Sequence, residues 1–193
     1  MKKGVEKNTH VNYRRLDFKG SRDDQRQNMV NYMENVLEFN IARGHLAPVV
    51  YDIDATLVDA REDVIPSVAR LYRKYLNIVP TYIVTARPDV GNNEELTRAM
   101  LKKNRLEGYK ALYLMPPSAQ SPAQFKWRKR IEIGRQHGHH PQMTVGDQSW
   151  DALASPVPRD AKDMMIDRHN GAIVDHETGR GEIGCLLPDI EGA

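Results

Sequence analysis

Short apolar segments alternate with amphipathic segments through the middle of the chain, and this alternation constrains the fold more than any other feature. Four apolar runs predict buried strands and three amphipathic stretches predict helices: strands at 48–53, 79–85, 111–115 and 143–145, and helices at 64–75, 92–104 and 121–137. Strands that alternate with helices of this length are joined by right-handed crossovers into a parallel sheet. The sequence therefore predicts an α/β fold, a Rossmann-like three-layer α/β/α arrangement with a mostly parallel sheet.

The segments that flank this alternation carry weaker signals. Residues 1–20 are polar and basic, and we expect a flexible arm there. Apolar residues at helical spacing predict a helix at 21–43, ahead of Gly44. In the tail, an Asn-Gly pair between two apolar runs indicates a hairpin or a tight turn at 167–171, followed by irregular glycine-rich chain. Residues 21–193 are predicted to form one domain.

The composition excludes several classes of protein. The chain has 193 residues, and its 28 Lys and Arg against 26 Asp and Glu give a net charge of +2, which does not indicate a dedicated nucleic-acid binder. No apolar run reaches the roughly 18 residues of a membrane span, and the N-terminal segment lacks the apolar core of a secretory signal. A lone cysteine, Cys185, excludes an internal disulfide. A cytoplasmic protein with no membrane partner is expected.

Two carboxylates follow the first predicted strand. Asp52 and Asp54 are two residues apart and share one face if the strand geometry continues. Such a pair can hold a hard cation such as Mg²⁺, or divide the roles of nucleophile and acid/base. The alternative is a solvated loop. A calcium loop of the EF-hand type is excluded, because Leu57 stands where that loop requires glycine.

Other polar residues follow the later strands. Thr85 lies at the end of the second strand, where a hydroxyl and free amides can hold a phosphate, although such a threonine is also an ordinary turn residue. Asp147 follows the fourth strand, where it is either an exposed carboxylate of a site or a helix N-cap. Asp151, four residues further on, is a site residue or a first-turn acid favoured by the helix dipole.

One basic residue stands near the start of the helix at 121–137. Lys126 belongs to a basic run that is typical of a solvated helix face, and Trp127 and Ile131 are expected to face the core. The histidines at 137–140 are predicted to lie in an exposed loop rather than in a transition-metal site, because no cysteine or carboxylate completes a ligand set.

The order of these residues resembles the haloacid dehalogenase-like superfamily of phosphatases. Asp-x-Asp-x-Thr at 52–56, the strand-end Thr85, the helical Lys126 and Gly-Asp-x-x-x-Asp at 146–151 follow one another in the region 48–153. The residues around Lys126 and at 146–151, with Thr85-Ala86-Arg87, are similar to the class B or plant-type acid phosphatase branch. Ala55 and Ala86 depart from the usual residues of that family, but neither replaces a catalytic side chain.

The resemblance implies a magnesium-dependent phosphatase that works in two steps. Asp52 would attack phosphorus and form an aspartyl-phosphate, while Asp54 protonates the leaving oxygen and then activates water. Lys126 would neutralise charge around the nucleophile. Mg²⁺ would be held by Asp52, the backbone carbonyl of Asp54 and Asp147, with Asp151 in support, directly or through water.

The same resemblance assigns the phosphate-binding residues. Thr85 and the neighbouring amides of Ala86 and Arg87 would bind phosphoryl oxygens, and Thr56 would orient the loop through its hydroxyl. The spacing from Thr56 to Thr85, and from there to Lys126, leaves no room for a globular cap, so an open site is predicted. An open site can admit a large molecule, or be covered by the helix at 21–43 or by a second subunit of a homo-oligomer.

The expected substrate is a phosphorylated small molecule, and two alternatives are kept. The first is a nucleic-acid end phosphatase, in which the basic arm and residues 128–130 would track a phosphate backbone. The second is a non-catalytic relative that only binds phosphate.

Overall fold

The alternating segments form a single sheet with helices packed on both faces. The computed structural model describes residues 13–17, 19–152, 172–176 and 182–187. In chain order the elements are β1 (Tyr13–Asp17), α1 (Arg22–Ala42), β2 (Val49–Tyr51), α2 (Pro66–Tyr75), β3 (Thr81–Pro88), α3 (Asn93–Lys103), β4 (Ala111–Met115), α4 (Pro122–His137), β5 (Met143–Gly146), α5 (Ser149–Ala152), β6 (Ala172–His176) and β7 (Glu182–Leu186).

The sheet has seven strands in the order β1-β6-β7-β5-β2-β3-β4. The strands β7, β5, β2, β3 and β4 are parallel, while β6 and β1 add an antiparallel edge. In the centre, Tyr51 of β2 lies level with Ile83 of β3 and Val145 of β5. The predicted α/β class and mostly parallel sheet are confirmed.

Side chains alternate between two apolar layers along the central strand. Val49 and Tyr51 belong to a core that includes buried residues of α1, α2 and α3. Val50, between them, packs in a second core with Phe125 and Ile133 of α4. Because successive side chains of a strand point to opposite faces, β2 is buried on both sides. This arrangement confirms the predicted three layers.

The path of the chain creates a crevice beside β2. From β2 the chain moves outward to β3 and β4, and it then crosses back through α4 to β5 on the other side of β2. In open parallel sheets, ligands bind outside the carboxyl ends of the strands where the strand order reverses in this way. The carboxyl ends of β2 and β5 are therefore the expected place for chemistry.

Helix boundaries follow local capping chemistry. Ser21 caps α1 in a capping box with Asp24, and the Ser121 hydroxyl accepts the Gln124 amide at the start of α4, ahead of Pro122. At the other end of α4, Gly138 has a φ of 73°, the left-handed conformation that glycine adopts without strain. Both helices match their predicted ranges to within one residue.

Three expectations differ from the structure. Residues 13–17 pair with β6 as an edge strand, so this part of the predicted flexible arm is ordered by partners far along the chain. Residues 182–186 of the predicted irregular tail form β7, which lies next to β5. The strand predicted at 79–85 extends to Pro88, with irregular pairing after Val84. The predicted hairpin at 167–171 lies outside the described residues.

The connections between the parallel strands are short where the structure describes them. Residues 52–65 link β2 to α2, 89–92 link β3 to α3, and 116–121 link β4 to α4. None of these segments is long enough for a globular cap. None of the helices in the described ranges combines the length and the apolar character that a bilayer crossing requires.

A buried tyrosine ties α2 to the segment that precedes β4, and it allows a test of the packing. The Tyr72 hydroxyl donates to the Leu106 carbonyl at 2.8 Å in a buried environment. Tyr72→Phe leaves that carbonyl without this partner and should lower the free energy of unfolding by about 1–3 kcal/mol. Tyr109→Phe, whose hydroxyl contacts Arg98 at the surface, should cost less than about 0.5 kcal/mol. Urea unfolding of the two variants measures the difference, and equal losses would contradict it.

Candidate active site

Asp52 extends the central strand by one residue into the crevice. Its backbone amide donates to the Val145 carbonyl at 2.9 Å, so the β2–β5 pairing fixes its backbone. The side chain is buried, with 6% of the residue exposed. Burial raises the pKa of the Asp52 carboxyl to about 7, and the neighbouring Asp151 adds to this rise while Lys126 opposes it.

Two further carboxylates come from the end of β5. Asp147 follows the strand directly, and Asp151 lies in α5, where its carboxylate accepts the Gln148 amide at 3.1 Å. One oxygen each of Asp52, Asp147 and Asp151 lies within 4.8 Å of the others. This acidic cluster is the one group of potential metal ligands in the part of the chain that the structure describes.

Gly146 makes the approach of Asp151 to the sheet possible. A Cβ atom on this glycine would collide with the Cβ and carboxyl group of Asp151. The strand end must therefore lack a side chain for the buried carboxylate to fold back against it. The Gly-Asp-x-x-x-Asp pattern thus has a packing reason for its first residue.

Lys126 brings a positive charge into the acidic cluster from α4. Its Nζ lies 2.9 Å from Asp52 Oδ1 and 2.5 Å from Asp151 Oδ1, and the side chain is 2% exposed. Burial by itself disfavours the ammonium, but Asp52 and Asp151 outweigh it and raise the pKa of Lys126. Lys126 therefore stays charged. Its burial differs from the solvated helix face that its basic neighbours suggest. Trp127 and Ile131, expected to face the core, are only half-buried.

The charges of the acidic cluster do not balance. Two buried carboxylates and the half-buried Asp147 face one ammonium, and burial raises the pKa of Asp147 to about 6 and also that of Asp151. Asp52 Oδ1 is buried and, apart from its ion pair with Lys126, accepts no well-aligned hydrogen bond. Buried excess negative charge of this kind is offset either by protons or by a cation. The oxygen-only donor set fits a hard divalent cation.

Asp54 lies apart from the acidic cluster. Its side chain is 55% exposed and forms a two-pronged ion pair with Arg87, with Nη2–Oδ1 at 2.7 Å and Nε–Oδ2 at 3.0 Å. The Arg87 Nη1 also lies 3.3 Å from a carboxylate oxygen of Glu62. The Asp54 carboxylate is thus directed to Arg87 and not to the acidic cluster. The metal contact predicted for this residue involves its backbone carbonyl and not its carboxylate.

The predicted phosphate-binding residues surround the same strand ends. Thr56 is fully buried, and its hydroxyl has no hydrogen-bond partner. Thr85 is also fully buried and accepts the Arg87 amide at 3.3 Å, while Ala86 is half-buried. Because β3 continues to Pro88, Thr85, Ala86 and Arg87 lie within the strand rather than after it.

Two residues with contacts to this region escape the sequence pattern. Gln148 donates from its amide nitrogen to Asp147 Oδ2, and Glu62 pairs with Arg87. The position of Gln148 directly after Asp147 is a usable signal, since neighbours of a ligand often orient it. Nothing in the sequence around Glu62 marks it, because its contact depends on the folding of a loop.

The histidines at the end of α4 lie outside this site. His137 shares a hydrogen bond of 2.8 Å with the Tyr82 hydroxyl, and His137, His139 and His140 form no metal-ligand group in the described ranges. A cavity of about 490 Å³ adjoins them, lined by Ile131, Gly134, Arg135, Gly138, His139 and His140. It contains none of the predicted site residues.

Comparison with models of protein families and with curated proteins found no match. The functional assignment therefore depends on the site residues themselves.

The raised carboxyl pKa values predict how the metal-free protein responds to pH. Asp52 and Asp147 have pKa values of about 7 and about 6 in the folded protein, against 3.8 ordinarily. The folded state thus holds more protons than the unfolded chain, so this contribution is complete below about pH 4 and is lost as the pH rises through 6 and 7. With EDTA present, the Tm should fall from about pH 5 to about pH 7.5. A variant carrying both Asp52→Asn and Asp147→Asn should show a shallower fall in thermal melts, and an unchanged slope would contradict the assignment.

Proposed function

We propose that this chain is a metal-dependent phosphomonoester hydrolase of the haloacid dehalogenase-like superfamily that forms an aspartyl-phosphate on Asp52. The observation that carries the proposal is the meeting of Asp52, Asp147 and Asp151 with the buried Lys126 at the carboxyl ends of β2 and β5. Acids and an amine from distant parts of the chain converge where the strand order reverses. The order of these residues along the sequence supports the same family.

The acidic cluster suits Mg²⁺. Asp52, Asp147 and Asp151 would hold the ion, since Mg²⁺ prefers carboxylate oxygens and their charge exceeds that of Lys126. When bound, the ion supplies positive charge that offsets the negative charge of a phosphoryl group. Asp52 Oδ1 accepts no well-aligned hydrogen bond beyond its ion pair with Lys126, and this oxygen and the raised carboxyl pKa values both support a site built for a further cation.

Asp52 is the better nucleophile of the two neighbouring acids. Its backbone is fixed by β5 and its carboxylate by Lys126, so the attacking oxygen is positioned in advance. In the first step a carboxylate oxygen of Asp52 bonds to phosphorus and the ester P–O bond breaks. In the second step water attacks phosphorus, the bond to Asp52 breaks and inorganic phosphate is released.

Asp54 is the acid and base of this scheme. It is more exposed than Asp52, which suits a group that must meet the leaving oxygen and bulk water at the mouth of the site. In the first step its protonated form, which has taken a proton from bulk water, gives that proton to the leaving oxygen; in the second step the carboxylate takes a proton from the attacking water, which restores the acid. Lys126 offsets the charge of Asp52 while an anionic phosphate approaches.

Removing the nucleophile is the direct test of the proposal. Asp52→Asn should lower turnover of p-nitrophenyl phosphate with Mg²⁺ by at least about 10³-fold, because an amide oxygen does not replace the attacking carboxylate. Asp89→Asn, an exposed acid after β3, should keep wild-type turnover. Near-normal rates in Asp52→Asn would refute the nucleophile assignment. Absence of turnover in the wild-type protein would refute the enzyme and favour the phosphate-binding alternative.

Metal affinity tests the role of Asp147, which follows β5. Asp147→Asn removes one anionic ligand, so the Mg²⁺ concentration for half-maximal activity should rise about 10-fold or more. The Tm increase caused by Mg²⁺ should shift to higher concentration by the same factor. Both titrations should be unchanged in Asp89→Asn. An Asp147→Asn protein with a wild-type titration would remove Asp147 from the metal site.

The substrate class is proposed from the charge of the chain and the openness of the site. The connections that the structure describes are too short for a cap, which admits small and large phosphate esters alike, and the net charge of +2 favours a phosphorylated small molecule over nucleic acid. A panel of mononucleotides, sugar phosphates and end-phosphorylated oligonucleotides separates this class from nucleic-acid ends. Preference for the oligonucleotides, abolished by salt, would favour the alternative.

A further inference from the structure

A short hairpin follows the turn after β2 and leads into α2. Val58 pairs with Val64 across its base, and the Asp59 amide donates to the Asp63 carbonyl at 2.9 Å. At its tip, the Glu62 amide donates to the Asp59 carbonyl at 3.0 Å. The Asp59 carboxylate accepts the Arg61 amide at 2.9 Å and the Asp63 amide at 3.0 Å. We call residues 58–64 the site hairpin. These hydrogen bonds fix the conformation of its turn.

Glu62 has an unfavourable backbone conformation in the site hairpin. Its φ is 62°, in the left-handed region where glycine is the usual residue and a long side chain is strained. Such strain persists only where surrounding contacts enforce it, and it is concentrated at functional sites. The Asn104 side chain donates to the Glu62 carbonyl at 2.8 Å and holds the backbone in place.

The Glu62 side chain reaches the proposed acid/base through one arginine. Glu62 Oε1 lies 3.3 Å from Arg87 Nη1, while Nε and Nη2 of the same guanidinium bind Asp54 at 2.7–3.2 Å. All three nitrogens of the planar group are engaged, which fixes its orientation more firmly than the contact with Asp54 alone. Arg87 is only 20% exposed, so the protein restricts its movement further.

We infer that Glu62 is a positioning residue for Asp54: it orients Arg87, and Arg87 holds the Asp54 carboxylate at the mouth of the site. The inference rests on the proposed function, in which Asp54 transfers protons. Half-exposed ion pairs contribute little to stability, whereas the left-handed backbone of Glu62 costs stability. Stability therefore does not account for a glutamate at this position, and the orientation of Arg87 does.

Arg105 provides a matched control within the same chain. Its φ is 53°, and it follows the C-cap residue of α3, where the Leu106 amide donates to the Leu101 carbonyl and closes the end of the helix. Like Glu62 it is a long, charged residue in a conformation that favours glycine, but its side chain forms no part of the Glu62–Arg87–Asp54 contact. Replacement by glycine relieves the same backbone strain at both positions.

The experiment compares Glu62→Gly with Arg105→Gly on two substrates. Phenyl phosphate has a poor leaving group that needs a proton from Asp54, whereas p-nitrophenolate leaves readily without one. For Glu62→Gly, kcat/KM on phenyl phosphate should fall about tenfold while that on p-nitrophenyl phosphate changes less than about twofold. Arg105→Gly should change neither value. Neither variant should lose thermal stability, since glycine adopts the left-handed conformation freely.

A residue that served only the fold would give a different result. Equal kcat/KM values for wild type and Glu62→Gly on both substrates would overturn the inference, as would an equal fall on both. Glu62→Gln keeps a hydrogen-bond acceptor for Arg87 and should restore part of the phenyl phosphate rate. Wild-type protein inactive on both substrates would instead remove the proposed function, and this inference with it.

Discussion

The contact of one buried ammonium with two buried carboxylates organises the edge of the sheet where β2 and β5 end. Lys126 joins α4 to β2 through Asp52 and to α5 through Asp151. Removing Lys126 would leave the carboxylates of Asp52 and Asp151 in the interior without their cation, which is far more costly than losing a surface ion pair. The three elements are therefore held in one arrangement. The remaining negative charge, to which Asp147 contributes, is what would allow the cluster to hold a cation.

The middle of the fold could be predicted from the sequence because its elements are continuous and locally encoded. The helix 121–137 has its own cap, first-turn proline and terminal glycine, and β4 was predicted without error. The edge strands could not be predicted in the same way. Residues 13–17 and 182–186 form strands through pairing with β6 and β5. Such pairing depends on partners distant in the chain, which a local pattern does not contain.

The candidate site was predictable to the extent that strand ends mark it. Asp52, Asp147 and Asp151 do meet, as their places after β2 and β5 required. The burial of Lys126 was not visible, since its basic neighbours are typical of an exposed helix face and Trp127 is the more apolar residue. The partner of Asp54 was equally hidden. It depends on a turn that places Glu62 and Arg87 together, and side-chain geometry of this kind has no periodic pattern in a sequence.

The edge strand β1 has a consequence for the order in which the protein assembles. Tyr13 pairs with His176, so the first described strand must wait for nearly the last one. On the ribosome, β2, β3, β4 and β5 emerge together and can collapse with their helices while β1 has no neighbour. β7, which flanks the β5 strand that leads into Asp147, also emerges late. The side of β5 that faces away from β2 is therefore covered later than the centre of the sheet, because its partner β7 is made after the other parallel strands.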